Sequence, residues 1–452
     1  MKMKVLKFGG TSVGSAARMK EVAKLVTADN DPKIVVLSAM SGTTNGLVEI
    51  GALLYKNKQE EAVAKIEEME KKYEAVMSEL YTHAEFKEKA FATIHENFNY
   101  MKTFVVKAFN VYQERALLAQ GELMSTAMFQ VYLEEQKLNS VLLPALNFMK
   151  INKDEEPDLA YTREHIAKEL KKYPESGLFV TQGYICRNTF GEIDNLKRGG
   201  SDYTASLIGN AIDASEIQIW TDIDGMHNND PRFVGETKPV AELSFDEAAE
   251  LAYFGAKILH PSCILPAKQA NIPVKLLNTM QPEAKGTTII EHPTKTSGNF
   301  VKAVAAKDGI IAIKIASTRM LLAYGFLRSV FEVFERYRTP IDMITTSEVA
   351  VSLTIDDATH LDQIVKELQA FGNVEVDKDQ TIICIVGDMS TDEGGMAKKL
   401  FNALSGVPLR MISYGGSTHN ISVLTDSSNK LKALQTINEG LFGLKGEKLQ
   451  KA

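Results

Sequence analysis

The sequence predicts an α/β protein: an open αβα sandwich on a mostly parallel sheet, followed by two smaller α+β units. Three observations carry this. The chain opens with an apolar run at 4–8, helical periodicity over 15–27 and a second apolar run at 33–39, a βαβ start that implies parallel pairing. Short apolar runs then alternate with helical stretches as far as residue 277. Beyond residue 300 the chain repeats its own element order.

The runs at 4–8 and 33–39 (KIVVLSA) are continuous, as strands buried on both faces require. Residues 58–136 contain no proline and one glycine and are rich in Glu, Lys, Ala and Met, which reads as several amphipathic helices. Strands are expected at 140–144, 177–181, 216–220 and 272–277, with helices at 203–212 and 245–254. The stretch HPTKTSGN at 292–299 reads as a linker. After it, a helix and two strands at 325–355 recur as a helix and two strands at 395–424, with IDMI from Ile341 matched by LRMI from Leu409. The first copy, opening at 310–315, closes with a strand at 373–377; the second, opening at 381–386, ends one strand short. A spare strand at 300–306 would complete it and cover an otherwise open edge. The expected domains are therefore 1–295, then 308–379 inserted within a unit made of 299–307 plus 380–452.

A chain of 452 residues with 44% hydrophobic and 24% charged residues is an ordinary globular composition. The net charge of -7 offers no basic footprint, so nucleic acid is not an expected partner. No apolar stretch is long enough for a membrane span. Cys186, Cys263 and Cys384 have no metal or disulfide spacing, which suits a reducing compartment, and a cytoplasmic location is expected.

Candidate chemistry lies at strand ends, where open α/β sheets bind ligands. In KFGGTS, Lys7 ends the first strand and Gly9-Gly10 turn the chain, an arrangement that admits phosphates close to the backbone and to the next helix's N-terminus. A plain turn is the simpler reading of that motif alone. In SAMSGTTN, Ser38 and Thr44 can bind an anion, or Ser41 or Thr44 can cap a helix. Glu122, in GELMST, suits a helix dipole or a ligand ammonium. Arg198 before Gly199, Gly200, Ser201 and Asp202 is more informative, because a guanidinium and paired glycine amides both grip carboxylates. Asp222, in WTDIDG, leaves a strand where one or two carboxylates plus phosphate oxygens suit Mg²⁺. Arg232 and Lys257 add positive charge, and His260 before Pro261 reads as structural.

Taken together, KFGGTS, SAMSGTTN, GELMST, RGGSDYTA, WTDIDG with NDPR, and FGAKILHP resemble the aspartate kinases of the amino acid kinase family, in order from Lys7 to Pro261. The repeat is similar to that family's paired ACT domains, with ITTSE at 344–348 as a marker. The resemblance implies an amino acid kinase fold followed by two ferredoxin-like ACT domains. It implies transfer of the γ-phosphoryl of ATP, with Mg²⁺, to the β-carboxylate of L-aspartate. By position, Lys7, Asp202 and Lys257 would be catalytic; Ser38, Thr44, Glu122, Arg198, Gly199, Gly200 and Ser201 would hold aspartate. Lys7, Gly9, Gly10, Thr221, Asp222, His227, Arg232 and Lys257 would hold nucleotide, with Asp222 on the metal. Gln120 and His227 stand where the family often has histidine and tyrosine. An inactive lysine-sensing relative and a kinase for another amino acid are the alternatives.

The resemblance also implies a homodimer through the ACT domains and a lysine effector, with threonine as the rival. A lysine pocket needs acids, which Asp342 and Glu348 supply; Met320, Ala323, Phe326, Leu327, Pro340, Ile341 and Ser347 would complete it. The second copy has Arg410 in place of Asp342, which would repel an ammonium, so lysine is expected in the first copy alone.

Overall fold

The computed structural model describes residues 2–106, 108–196, 199–256, 260–294, 300–320, 324–389 and 395–447. The chain forms two compact units: residues 1–226, 241–245 and 258–293, and residues 227–240, 246–257 and 294–452.

The first unit is built on strands β1 (Lys4–Phe8), β2 (Lys33–Leu37), β3 (Ser140–Leu143), β4 (Leu178–Gln182), β5 (Ile185–Arg187), β6 (Ile193–Asn195), β7 (Glu216–Thr221), β8 (Glu242–Ser244), β9 (Val274–Asn278) and β10 (Thr287–Ile290). Eight form one sheet in the order β3-β4-β2-β1-β7-β9-β10-β8, while β5 and β6 form a separate hairpin. Pairing is parallel except between β9 and β10. All five residues of β2 are buried, the pattern of a strand covered on both faces. Helices α1 (Ala16–Val26), α2 (Thr43–Tyr55), α3 (Gln59–Leu80), α4 (Ala84–Lys102), α5 (Val111–Leu118) and α6 (Gln120–Glu135) share one core with β1 and β2, filled by Phe8, Met19, Leu37, Tyr73, Phe98 and Phe129. Two more, α7 (Leu159–Lys171) and α10 (Pro261–Gln269), each pack on α8 (Gly200–Ile212); α9 (Phe245–Tyr253) lies mainly in the second unit. β1 sits between β2 and β7, where the strand order reverses, so a crevice opens beyond their carboxyl ends.

The second unit carries an antiparallel sheet of β11 (Val301–Ala316), β12 (Ile344–Thr346), β13 (Ala350–Ile355), β14 (Asn373–Gly387), β15 (Met411–Ser413) and β16 (Asn420–Asp426), in the order β12-β13-β11-β14-β16-β15. Two strands expected separately at 300–306 and 310–315 are one long β11, and those expected at 373–377 and 381–386 are one long β14. The ladder runs through both joins, with a register shift between Lys307 and Ile310. Val301–Lys307 faces Ile382–Gly387, and Ile310–Ala316 faces 373–380. α11 (Phe326–Arg336) and α12 (Leu361–Leu368) cover one half of this sheet; α13 (Met396–Ala403) and α14 (Lys430–Phe442) cover the other.

Residues 227–240 and 246–257, counted by sequence in the first domain, belong instead to the second unit. Their side chains explain it. Val234 is 1% exposed in the core with Val301, Ile383 and Leu434, and Asn229 donates to the Leu434 carbonyl at 3.1 Å.

Candidate active site

Lys7 reaches the crevice because β1 alternates its faces: Leu6 and Phe8 are buried while Lys7 points to the sheet's rim. Its Nζ lies 2.6 Å from Asp202 Oδ1 at the first turn of α8, and both side chains are largely covered. An ion pair held this way aims the ammonium, since Asp202 removes the freedom of a flexible stem. Gly9 follows; a Cβ there would sit 3.4 Å from the Lys7 ammonium. A Cβ on Gly10 would lie 2.9 Å from the Ala39 carbonyl, so the turn after β1 presses against the turn after β2.

That second turn carries Ser38, whose hydroxyl donates to Ser201 Oγ at 2.9 Å, joining it to α8. The Ala39 N–H donates to Glu122 Oε1 at 3.2 Å. Glu122 is 4% exposed and its other oxygen has no hydrogen-bond partner in the structure. Burial pushes its pKa up to about 8, against the Ala39 N–H and the Lys7 ammonium, which both favour the carboxylate. A buried carboxylate oxygen without a donor, close to a lysine, is poised for a ligand's N–H. Thr44 is exposed on α2 and caps nothing: the cap is Gly42, at φ 80, so neither Ser41 nor Thr44 serves as expected.

α8 begins one turn earlier than the pattern at 203 suggested, at Gly200, with Gly199 as its cap at φ 70 and no side chain over the end. A helix end left without a side-chain cap can receive an anion. Arg198 and Lys257 lie outside the described residues. Thr221 ends β7 and donates to Asp222 Oδ1 at 3.1 Å; Asp222 is exposed there. His227 and Arg232 belong to the second unit, where His227 Nδ1 bonds Thr237 Oγ1 at 2.7 Å and Arg232 grips Asp230 at 2.6 Å. Lys7, Ser38, Glu122, Ser201 and Asp202 are thus one connected set; Gly9, Gly10, Gly199 and Gly200 supply its backbone.

Gly183 escaped the sequence reading, and Gly121 was carried there only as part of GELMST. A Cβ on Gly183, after β4, would fall 2.3 Å from Ser201 Oγ, and one on Gly121 would fall 2.7 Å from Ala39 Cβ. Each glycine lets a helix start approach the rim. The only local signal was a glycine directly after a strand or at a helix start.

Of the expected effector residues, Phe326, Leu327 and Ile341 pack on the core of the first half of the second sheet. Met320 ends a short turn at 318–320; Pro340, Ser347 and Glu348 are exposed, and Ala323 lies outside the described residues. Asp342 has a side chain 1% exposed, 2.8 Å from Lys307 Nζ. Arg410 pairs with Asp377 at 2.8 Å. His260 caps α10, its Nδ1 accepting from Ser262 N–H. Among the described residues no group of three or more His, Cys, Asp or Glu is arranged to hold a metal, and no helix is long and apolar enough to cross a membrane.

Comparison with known proteins adds an independent line. The amino acid kinase family matches residues 2–278, and an ACT domain matches 383–441. Lysine-sensitive aspartokinase 3 of Escherichia coli (strain K12) is 34% identical over 449 residues, 97% of this chain and 99% of that protein. The crystal structure of E. coli aspartokinase III with aspartate and ADP (R-state) superposes with a TM-score of 0.84 at 32% identity, covering 98% of this chain and 100% of that one. The same enzyme with lysine and aspartate (T-state) gives 0.79 at 33% identity, with the same coverage.

Proposed function

The chain belongs to the aspartokinases of the amino acid kinase family, and we propose that the crevice at the rim of its parallel sheet transfers the γ-phosphoryl of ATP to the β-carboxylate of L-aspartate, giving 4-phospho-L-aspartate and ADP. The observation that carries the site assignment is the Lys7–Asp202 ion pair set beside the buried Glu122 and the uncapped end of α8.

The acceptor carboxylate is already a nucleophile, so no general base is needed. One of its oxygens bonds to the γ-phosphorus while the bond from that phosphorus to the β,γ-bridging oxygen breaks, and ADP leaves with the electron pair. The barrier is repulsion between two anions. Lys7 offsets it at close range and stabilises charge on the transferring oxygens. Asp202 holds the Lys7 ammonium in place. Ser201, the Gly199–Gly200 amides and Ser38 receive aspartate carboxylates, with Arg198 and Thr44 beside them; Glu122 takes the α-ammonium. Gly9, Gly10, Thr221 and Asp222 face the nucleotide. Asp222 fits Mg²⁺, being an exposed carboxylate just past the end of a strand, with Oδ1 accepting from the Thr221 hydroxyl. Mg²⁺ takes few protein ligands and completes its shell with phosphate oxygens and water, and when bound it neutralises phosphate charge.

The second unit is the regulatory part, two ACT domains nested as 308–379 within 299–307 plus 380–452, and it pairs with a second copy. Lysine is the effector, held by the half that carries Asp342. Like the lysine-sensitive E. coli relative, the chain would respond to the end product's ammonium groups. Purified protein with ATP, Mg²⁺ and aspartate, with hydroxylamine trapping the acyl phosphate, tests the reaction. Glutamate in place of aspartate should give no hydroxamate, and millimolar lysine should suppress it. Equal product with glutamate would refute the substrate; a rate flat in lysine would refute the effector.

A further inference from the structure

α3 lays one stripe along the turn that follows β2. Met69, Lys72 and Tyr73 stand three and four residues apart, on one face of the helix. The Lys72 ammonium donates to the Ser41 carbonyl at 2.8 Å. The Tyr73 hydroxyl shares a hydrogen bond of 3.0 Å with Thr43 Oγ1, and both side chains are buried. A Cβ on Gly46 would lie 2.5 Å from Met69 Cε, so the start of α2 is pressed against the same stripe. α4 backs the tyrosine: the Phe98 ring meets it edge to face, with ring centroids 5.6 Å apart.

Thr43 passes this grip on to Glu122. Its hydroxyl and methyl share one Cβ, so a hydroxyl held by Tyr73 fixes the methyl as well. A Cβ on Gly121, the residue before Glu122, would lie 3.3 Å from that methyl and 2.7 Å from Ala39 Cβ. The Ala39 N–H, in the same turn, donates to Glu122 Oε1, while Glu122 Oε2 is buried without a partner. The turn therefore lies between α3, which holds it at Ser41 and Thr43, and α6, which it holds at Gly121 and Glu122. Burial keeps the Tyr73 phenol above its ordinary range and the Glu122 carboxylate pushes it the same way, so Tyr73 stays a neutral hydroxyl.

We propose that Tyr73 and Lys72 are positioning residues for the amino-acid substrate: from α3 they hold the 39–43 turn against α6, so that the Ala39 N–H occupies one oxygen of Glu122 and the other is left for the ammonium of aspartate. This rests on the reading of Glu122 given above. Tyr73 is fully buried and meets no reactant; it acts through Thr43.

The test is Tyr73→Phe in the full-length protein, which keeps the ring on Phe98 and removes only the hydroxyl. The KM for aspartate should rise about three- to tenfold, the worth of one hydrogen bond, with kcat within about twofold, since no group on the γ-phosphoryl is touched. Thr43→Val should do the same, and the double variant should be no worse than either single one, because both remove one bond. A tyrosine that only supports the fold would lower the thermal midpoint and leave the KM for aspartate alone, and that result overturns the inference. So do single effects that multiply in the double variant. Should Tyr73→Phe not fold, Lys72→Met decides: the side chain is exposed, its loss should also raise the KM for aspartate, and an unchanged KM overturns the inference. Glu122→Gln, assayed alongside, separates the two levels. An unchanged KM there overturns the site reading and this inference together; a raised KM there beside an unchanged one in Tyr73→Phe overturns this inference alone.

Discussion

Glu122 permits the sharpest test of the site. Burial lifts its pKa from the ordinary carboxylate range to about 8. At pH 7 the gap is about one unit, so about one carboxyl in ten is ionised, and making the rest so costs about 1.4 kcal/mol. If Glu122 receives the substrate ammonium as a carboxylate, aspartate must meet that cost. The KM for aspartate should then rise about tenfold for each pH unit below about 7 and level off above about pH 9. Binding at pH 7 should release about nine-tenths of a proton, readable by calorimetry in two buffers of different ionisation enthalpy. Glu122→Gln should flatten the pH slope and raise KM about ten- to a hundredfold at pH 9, the loss of a hydrogen bond to a charged acceptor.

Stability supplies the control. The folded pKa is raised, so the folded chain binds the Glu122 proton more tightly than the unfolded chain between the ordinary pKa and about 8. Stability of the wild type relative to Glu122→Gln should therefore fall as pH rises through that window, by up to about 1.4 kcal/mol per unit, and stop falling above it. A KM for aspartate that is flat from pH 6 to 9, with no proton released, would refute the placement of the ammonium on Glu122.

Lys7→Ala should lower kcat by about a hundred- to a thousandfold with little effect on the fold, as expected for a lost electrostatic stabiliser; a variant within a few fold of wild type by coupled ADP assay would move the γ-phosphoryl elsewhere. Gly183→Ala places a methyl 2.3 Å from Ser201 Oγ, so it should cost about 1–3 kcal/mol in a denaturant melt and raise the KM for aspartate, whereas unchanged kinetics would separate Gly183 from the site. Replacing 308–380 by a two-residue Asn-Gly turn joins Lys307 to Thr381 next to an existing antiparallel rung. The shortened chain should keep one cooperative unfolding transition for the second half and lose its lysine response; loss of that transition would refute the nested arrangement.

What the sequence disclosed followed the range of each signal. Lys7, the glycine turn and the parallel pairing of β1 with β2 were legible because a buried strand and its turn are written in consecutive residues. The long β11 and β14 were legible only in pieces. Lys307-Asp-Gly309 and Lys378-Asp-Gln380 carry turn chemistry, and the strands continue through them because the ladder resumes on either side, Lys307 opposite Ile382 and Ile310 opposite Gln380, with a register shift between. β8 and β10, three and four residues at the sheet's edge, are too short for periodicity to show. The fate of 227–240 and 246–257 was hidden for another reason: their motifs run on from the kinase pattern, and apolar periodicity does not say which core a segment joins.

The same distinction explains the site's glycines. A reaction between two anions needs donors concentrated at one point, and a single ammonium with a helix end can serve only if the surrounding backbone comes very close. At Gly121 the intruding atom would be Ala39 Cβ, at Gly183 Ser201 Oγ, and at Gly199 Cys263 Sγ, at 2.7, 2.3 and 2.5 Å. These three contacts join α6 to the turn after β2, the turn after β4 to α8, and α8 to α10. Each brings an element bearing a functional group, Glu122 or Ser201 with Asp202, onto the same rim. None follows from local propensity, because the partners lie 82, 18 and 64 positions away. The burial that raises the pKa of Glu122 is a product of that approach: with α6 held back by even one methyl at 121, water would reach the carboxylate, and its coupling to Lys7 would weaken with the higher dielectric. Close backbone contact and the electrostatics of phosphoryl transfer are in this crevice one and the same requirement.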